Sequence, residues 1–305
     1  MNGMLLSALQ LLLFLALPPL LLGVVNRVKA LVAGRTGPPL LQLYRDLWRL
    51  LHKGAVYSTT TTWVFRAGPV VGLAAVASAG LLLSFGGAPA VLSFSGDFVL
   101  FAYLLGLARF FTALAALDTG SAFEGMGAAR EVSFASLAEP ALFLCLVVLA
   151  RATGALSLSQ MLGEGLGAAW GSSGPALLLT ALALFVVALA ENARIPVDDP
   201  NTHLELTMIH EVMVLDHSGP DFAFILYGAA LKLFLFGALV VRLALGFHFD
   251  SPASALLAFL LGMLLFAVAV GAVESAMARL RLSRVPQMLV GASVLSVFAL
   301  VLLLR

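Results

Sequence analysis

Residues 190–211 read AENARIPVDDPNTHLELTMIHE, placing Glu191, Asp198, Asp199, Glu205 and Glu211 beside Arg194, His203 and His210, between the apolar runs 175–190 and 222–241. Charge next to a bilayer is expensive, about 2.5 to 3.5 kcal/mol per charged side chain at the centre of a spanning helix. Crowded carboxylates in low dielectric also raise one another's pKa. A simple connection would use neutral turn residues, so this density points to proton exchange: partly desolvated carboxylates and imidazoles can titrate near neutral pH. Lys232, about ten residues into the next apolar run, is too deep to snorkel easily and is the natural partner of a buried carboxylate.

The elements that must hold these groups follow from local signals. Ile195-Pro196 forces an extended residue, and Asp199-Pro200 reads as an N-cap followed by proline at the first helical position. The helix this predicts, about 200–216, sets His203, His210 and His217 seven apart along one side and projects Glu205 and Glu211 toward Glu191 and Asp198.

The string Glu191-Asn192-Ala193-Arg194-Ile195-Pro196-Val197-Asp198-Asp199-Pro200, then Thr202-His203-Leu204-Glu205-Leu206, closely resembles the membrane subunit of formate hydrogenlyase and related membrane-bound nickel-iron hydrogenases. That family is similar to subunit one of respiratory complex I, whose loop keeps a skeleton matched here by Glu191, Arg194, Pro196, Asp198, Pro200 and Glu205. The resemblance implies a cytoplasmic face that holds a [NiFe] hydrogenase large subunit and an iron-sulfur small subunit, and a membrane flank against antiporter-like subunits. It also implies docking of the peripheral module on 35–39, which contains Arg35, and a family loop at 118–139 in which Arg130 and Glu131 are carried over. Glu139 joins the proton relay as a helix-start acid.

Composition sets the class independently. With 61% hydrophobic and 11% charged residues among 305, the chain cannot present a polar surface, and an all-α polytopic membrane protein is expected. Its net charge of +1 says little, because membrane proteins are judged by where charges fall. The single cysteine, Cys145, lies in an apolar run and reads as a small buried hydrophobe. There is thus no thiolate set for an iron-sulfur or nickel-iron centre, no metal or cofactor is expected in this chain, and the chain is not expected to perform redox chemistry alone.

Apolar runs long enough to span a bilayer predict eight helices, at about 4–25, 64–85, 98–117, 134–150, 175–190, 222–245, 252–273 and 286–304, in one integral membrane domain covering 1–305. Residues 39–53 alternate apolar and charged faces at helical spacing and predict an amphipathic helix in the interface plane, with Tyr44 and Trp48 at headgroup depth. The segment 118–139, with three glycines and Glu124, Arg130 and Glu131, reads as a loop or bend before the fourth span, and 151–174 as a loop on the opposite side with a short interfacial turn. Arg109, inside the third span, must face protein or water, with Asp118 as a candidate structural partner.

Basic residues crowd the connections after spans one, three, five and seven, including Arg279, Arg281 and Arg284, whereas Arg151 and Arg305 stand on the other side. The positive-inside rule then puts both termini outside and the acidic loops in the cytoplasm of a bacterial or archaeal inner membrane. His210-Glu211 is not a zinc-protease signature, since position 214 is Val, and no phosphate loop or dinucleotide fingerprint occurs. No nucleic-acid partner is expected, and the absence of a clear inverted repeat weakens a stand-alone transporter. The leading expectation is a membrane-anchor and proton-conducting linker subunit of a hydrogenase complex. The alternative is the quinone-site subunit of a complex I-type oxidoreductase.

Overall fold

The computed structural model describes residues 3–86, 89–163, 165–198, 208–246 and 251–304, and among these there are helices and connections but no strand. In chain order the α-helices are α1 (Gly3–Ala16), α2 (Pro18–Val32), α3 (Gln42–Leu51), α4 (Trp63–Leu81), α5 (Asp97–Asp118), α6 (Ala122–Thr153), α7 (Leu158–Met161), α8 (Gly165–Glu191), α9 (Gly219–Ala244), α10 (Pro252–Ala276) and α11 (Val285–Leu303). Among the described residues seven helices are long and apolar enough to cross a membrane, or eight when the bent pair α1–α2 counts as one span. The protein is a polytopic, all-helical membrane protein.

The first span is not straight. It bends by 46° around Leu17, where Pro18 and Pro19 remove backbone donors and crowd the preceding turn. The bend delivers Phe14 into an aromatic cluster in which it stacks on Phe85 at 5.5 Å, and Phe85 meets Phe234 edge-on at 5.5 Å. Gly80 leaves room for the Phe14 ring.

Helix α3 has no buried residue, with Trp48 68% exposed, and the Tyr44 hydroxyl tethers it by donating to the carbonyl of Ala16. Asp118 caps α4 rather than pairing with Arg109: its Oδ2 accepts from the amides of Thr62 at 2.7 Å and Phe65 at 3.2 Å. At the other end of α5, buried Asp97 accepts from the Leu158 amide at 2.6 Å and the Ser157 hydroxyl at 2.8 Å, pinning the α6–α7 connection. Cys145 is buried, 3.2 Å from the Ser296 hydroxyl.

Three expectations need correction. Residues 122–139 are not a loop, because α6 runs unbroken for 32 residues and places Glu124, Arg130, Glu131 and Glu139 on one helix. Its glycines serve packing: a Cβ at Gly127 would overlap Val212 and sit 2.9 Å from the Ile209 carbonyl, so glycine lets the 208–214 turn rest on the helix backbone. Residues 165–174 are helical too, joined to the span through a kink at Ser173 just before Pro175. The described part of the expected 200–216 helix is a turn with one 3-10 segment, Glu211–Val214, so His210 and His217 do not share an α-helical face. Asp199, His203 and Glu205 lie outside the described residues.

Candidate functional site

Arg109 stands at the middle of α5, buried, with its guanidinium among three carboxylates. Its Nε lies 3.1 Å from Glu131 Oε1, one terminal nitrogen donates to Glu139, and the other lies 2.5 Å from both oxygens of Glu191. Glu131 and Glu139 come from α6 and Glu191 from the last residue of α8, so one side chain ties three helices together. From α9, Lys232 Nζ reaches Glu191 Oε2 at 2.8 Å. Arg109 is always charged and has no acceptor, so it cannot pass a proton, but its charge lets three carboxylates share one small volume.

A second limb leads outward from Glu131. His210 Nε2 is 3.0 Å from Glu131 Oε2, and its Nδ1 is 3.5 Å from Asp198 Oδ2. The same Asp198 oxygen accepts from the amides of Ile209 at 3.2 Å and His210 at 3.1 Å, and Asp198 Oδ1 lies 2.7 Å from Arg279. Burial pulls the His210 imidazole down, but Glu131 and Asp198 on its two nitrogens outweigh it and hold its pKa at about 9, against an ordinary 6.5. His210 is therefore an imidazolium at neutral pH. Burial pushes Asp198 up, yet His210 and Arg279 together keep it below the usual aspartate range.

A second knot closes the end of α8. Ala193 adopts a left-handed conformation (φ 51°) that costs a non-glycine residue about 1 kcal/mol or more, and its neighbours hold it there. Glu191 is locked by Arg109 and Lys232 on one side, and Arg194 lies 3.4 Å from Glu274 on the other. Glu274, fully buried at the end of α10, also pairs with Lys29 of α2 at 2.8 Å. Burial lowers the Arg194 pKa, and Glu274 offsets part of that.

A cavity of about 590 Å³ opens beside both limbs. Arg109, Glu131, Glu191, Lys232 and His210 line its polar end, and Gly68, Gly72 and Leu73 of α4 with Phe222, Ile225 and Leu226 of α9 form apolar walls.

Of the residues singled out in the sequence, the structure thus gathers Glu191, Asp198, Glu131, Glu139, His210 and Lys232. Glu211 lines the cavity from the 3-10 segment, and Arg194 lines it from the loop. Arg130 is not in a loop, but donates from α6 to the Met208 carbonyl at 2.9 Å and props the turn that carries His210. Arg35 is exposed just beyond α2 and does not line the cavity. His217 stacks on Phe65 at 3.9 Å. Arg109, Glu274 and Arg279 were not assigned to the site by sequence reasoning. Arg109 had a signal, a charge inside an apolar run. Arg279 had none, because its sequence neighbours are ordinary basic turn residues. Among the described residues no group of three or more His, Cys, Asp and Glu side chains is arranged to hold a metal ion.

Comparison with known families gives the frame for this cluster. The NADH dehydrogenase family profile matches residues 5–304. The chain belongs to the NADH dehydrogenase family. Within it, the chain is 32% identical over 292 residues to formate hydrogenlyase subunit 4 of Escherichia coli (strain K12), covering 91% of each protein. It is 34% identical over 241 residues to hydrogenase-4 component C of the same organism, 78% of this chain and 74% of the relative. An NADH-quinone oxidoreductase subunit of Rubrobacter xylanophilus is more distant, 28% identical over 214 residues, 70% of this chain and 64% of the relative. Among solved structures, a chain of the archaeal membrane-bound sulfane sulfur reductase complex shares the fold, with a TM-score of 0.83 at 19% identity, covering 99% of this chain and all of that one.

Proposed function

We propose that this chain is the membrane-anchor and proton-conducting linker subunit of a membrane-bound [NiFe] hydrogenase or formate hydrogenlyase complex. The observation that carries this reading is the line of groups Asp198–His210–Glu131–Arg109–Glu191–Lys232, each in reach of the next. The similarity to formate hydrogenlyase subunit 4 and hydrogenase-4 component C supports the choice of complex.

On this reading the redox groups, a [NiFe] centre and iron-sulfur clusters, belong to the large and small subunits docked on the loop end. The exposed Arg35, Arg45, Arg49, Arg281 and Arg284 suit that contact. The loop end faces the cytoplasm of a bacterial or archaeal inner membrane, and both termini lie outside. A charge change in the peripheral arm shifts the Asp198–His210 pair. The imidazolium then gives its Nε2 proton to Glu131, leaving a neutral ring still protonated at Nδ1, and a flip that turns the bare nitrogen toward Asp198 lets the ring take up the next proton. Arg109 holds Glu131, Glu139 and Glu191 close enough for the proton to move among them, directly or through one water, with Lys232 as the next exchanging group. The Glu139 side chain is 52% exposed midway along α6, a poor neighbour for lipid, and marks the flank where an antiporter-like subunit would receive the proton.

The test is proton translocation per electron pair by the assembled complex in proteoliposomes. Glu191→Gln keeps the shape and should lower the ratio by about tenfold or more, in the range of losses for a positioned acid-base group. A wild-type ratio in that variant ends this reading. The cavity favours one second reading, a quinone-site subunit, because its volume and one polar end suit an amphipathic ligand. A photoreactive quinone analogue that labels α4 or α9 in the complex would select it.

A further inference from the structure

In sequence Arg279 belongs to a basic turn with Arg281 and Arg284, both of which are exposed. Its guanidinium instead points inward and meets Asp198 Oδ1 at 2.7 Å. The connector between α10 and α11 grips the loop at one more point, where the Leu280 amide donates to the Pro196 carbonyl at 2.9 Å, and Glu274 at the end of α10 lies 3.4 Å from Arg194 of the same loop. The other Asp198 oxygen is committed to the Ile209 and His210 amides and faces the His210 ring. The two oxygens of one carboxylate are therefore divided between the connector and the segment that continues the relay. Turning Asp198 about its side-chain bonds would break contacts on both sides at once.

We infer that Arg279 is a positioning residue: it fixes the Asp198 side chain and, through it, the 209–210 backbone, so that His210 Nε2 stays 3.0 Å from Glu131. The inference rests on the relay reading above. Arg279 exchanges no proton itself, since a guanidinium is always charged. What matters is a cation held against Asp198 Oδ1, which a lysine supplies with less rigidity. The connector then decides whether the outermost step of the relay is closed, and displacing it opens that step without touching Glu131 or Glu191.

The experiment uses the assembled complex in proteoliposomes with three variants, Arg279→Gln, Arg279→Lys and Glu191→Gln. It reads protons moved per electron pair and the redox-induced infrared difference band of His210, identified by its loss in His210→Gln. Arg279→Gln should lower the ratio by about tenfold and shift the His210 band, and Arg279→Lys should recover it to within about threefold of wild type. An unchanged ratio and band in Arg279→Gln, with coupling lost in Glu191→Gln, overturns this inference and leaves the relay standing. A wild-type ratio in Glu191→Gln removes the relay, and with it the inference. Should Arg279→Gln not assemble, Arg279→Lys decides: a lowered ratio with an unmoved His210 band overturns the inference.

Discussion

Two buried ion clusters lie side by side at the end of α8, and their stoichiometry differs. At Arg109 one guanidinium serves Glu131, Glu139 and Glu191, and the deficit of positive charge is made up by Lys232 and His210, groups that can release a proton. At Glu274 one carboxylate serves two cations, Lys29 and Arg194, so the sign in excess there is positive. The proposed relay needs the first arrangement to change protonation while Arg109 holds it together. The second is a clamp that fixes α2, α10 and the loop after α8. The same residue types are thus assembled with opposite signs in excess.

Breaking the first cluster should have the largest effect. Arg109→Leu strands three carboxylates and should cost about 3 to 5 kcal/mol or more, seen as loss of the chain from purified complex; Arg109→Lys should restore part of the yield. Recovery of stable complex from Arg109→Leu would mean that the cluster is hydrated rather than held by charge.

Glu274→Gln should be next, lowering stability by about 3 kcal/mol because Arg194 stays buried without its anion. Its proton-to-electron ratio should fall less than about twofold, against about tenfold for Glu191→Gln. A deep loss of coupling with unchanged thermal stability would erase the distinction between clamp and relay.

The smallest effect is in pH dependence. His210 has its folded pKa raised from 6.5 to about 9, so the stability it contributes is fully present below about pH 6.5 and is lost as pH rises through 9. Thermal stability of the complex should decline over that window by about 1 to 3 kcal/mol, and His210→Gln should flatten the decline. An equal decline in the variant would assign it to other groups.

The spans were legible because about twenty apolar residues leave a bilayer protein few choices. The depth of Lys232 in its apolar run implied a carboxylate neighbour, and Glu191 is that neighbour. The character of α6 was hidden because glycine signals a bend when read locally, whereas Gly127 is there to admit the 208–214 turn. The partners of Arg109 were hidden for a different reason. Asp118 is near in sequence but nine residues along the same helix, while Glu131, Glu139 and Glu191 are brought in by helix packing that no local pattern encodes. Arg279 was hidden because inward and outward arginines look alike in a basic turn.

The contact at Gly127 also limits how the turn bearing His210 can move. With the Ile209 carbonyl and Val212 already against the glycine backbone, the turn has no clearance to slide along α6, whose neighbouring positions carry side chains. The direction left open to it is away from α6, as a latch lifts. Gly127→Ala should hold the latch partly raised.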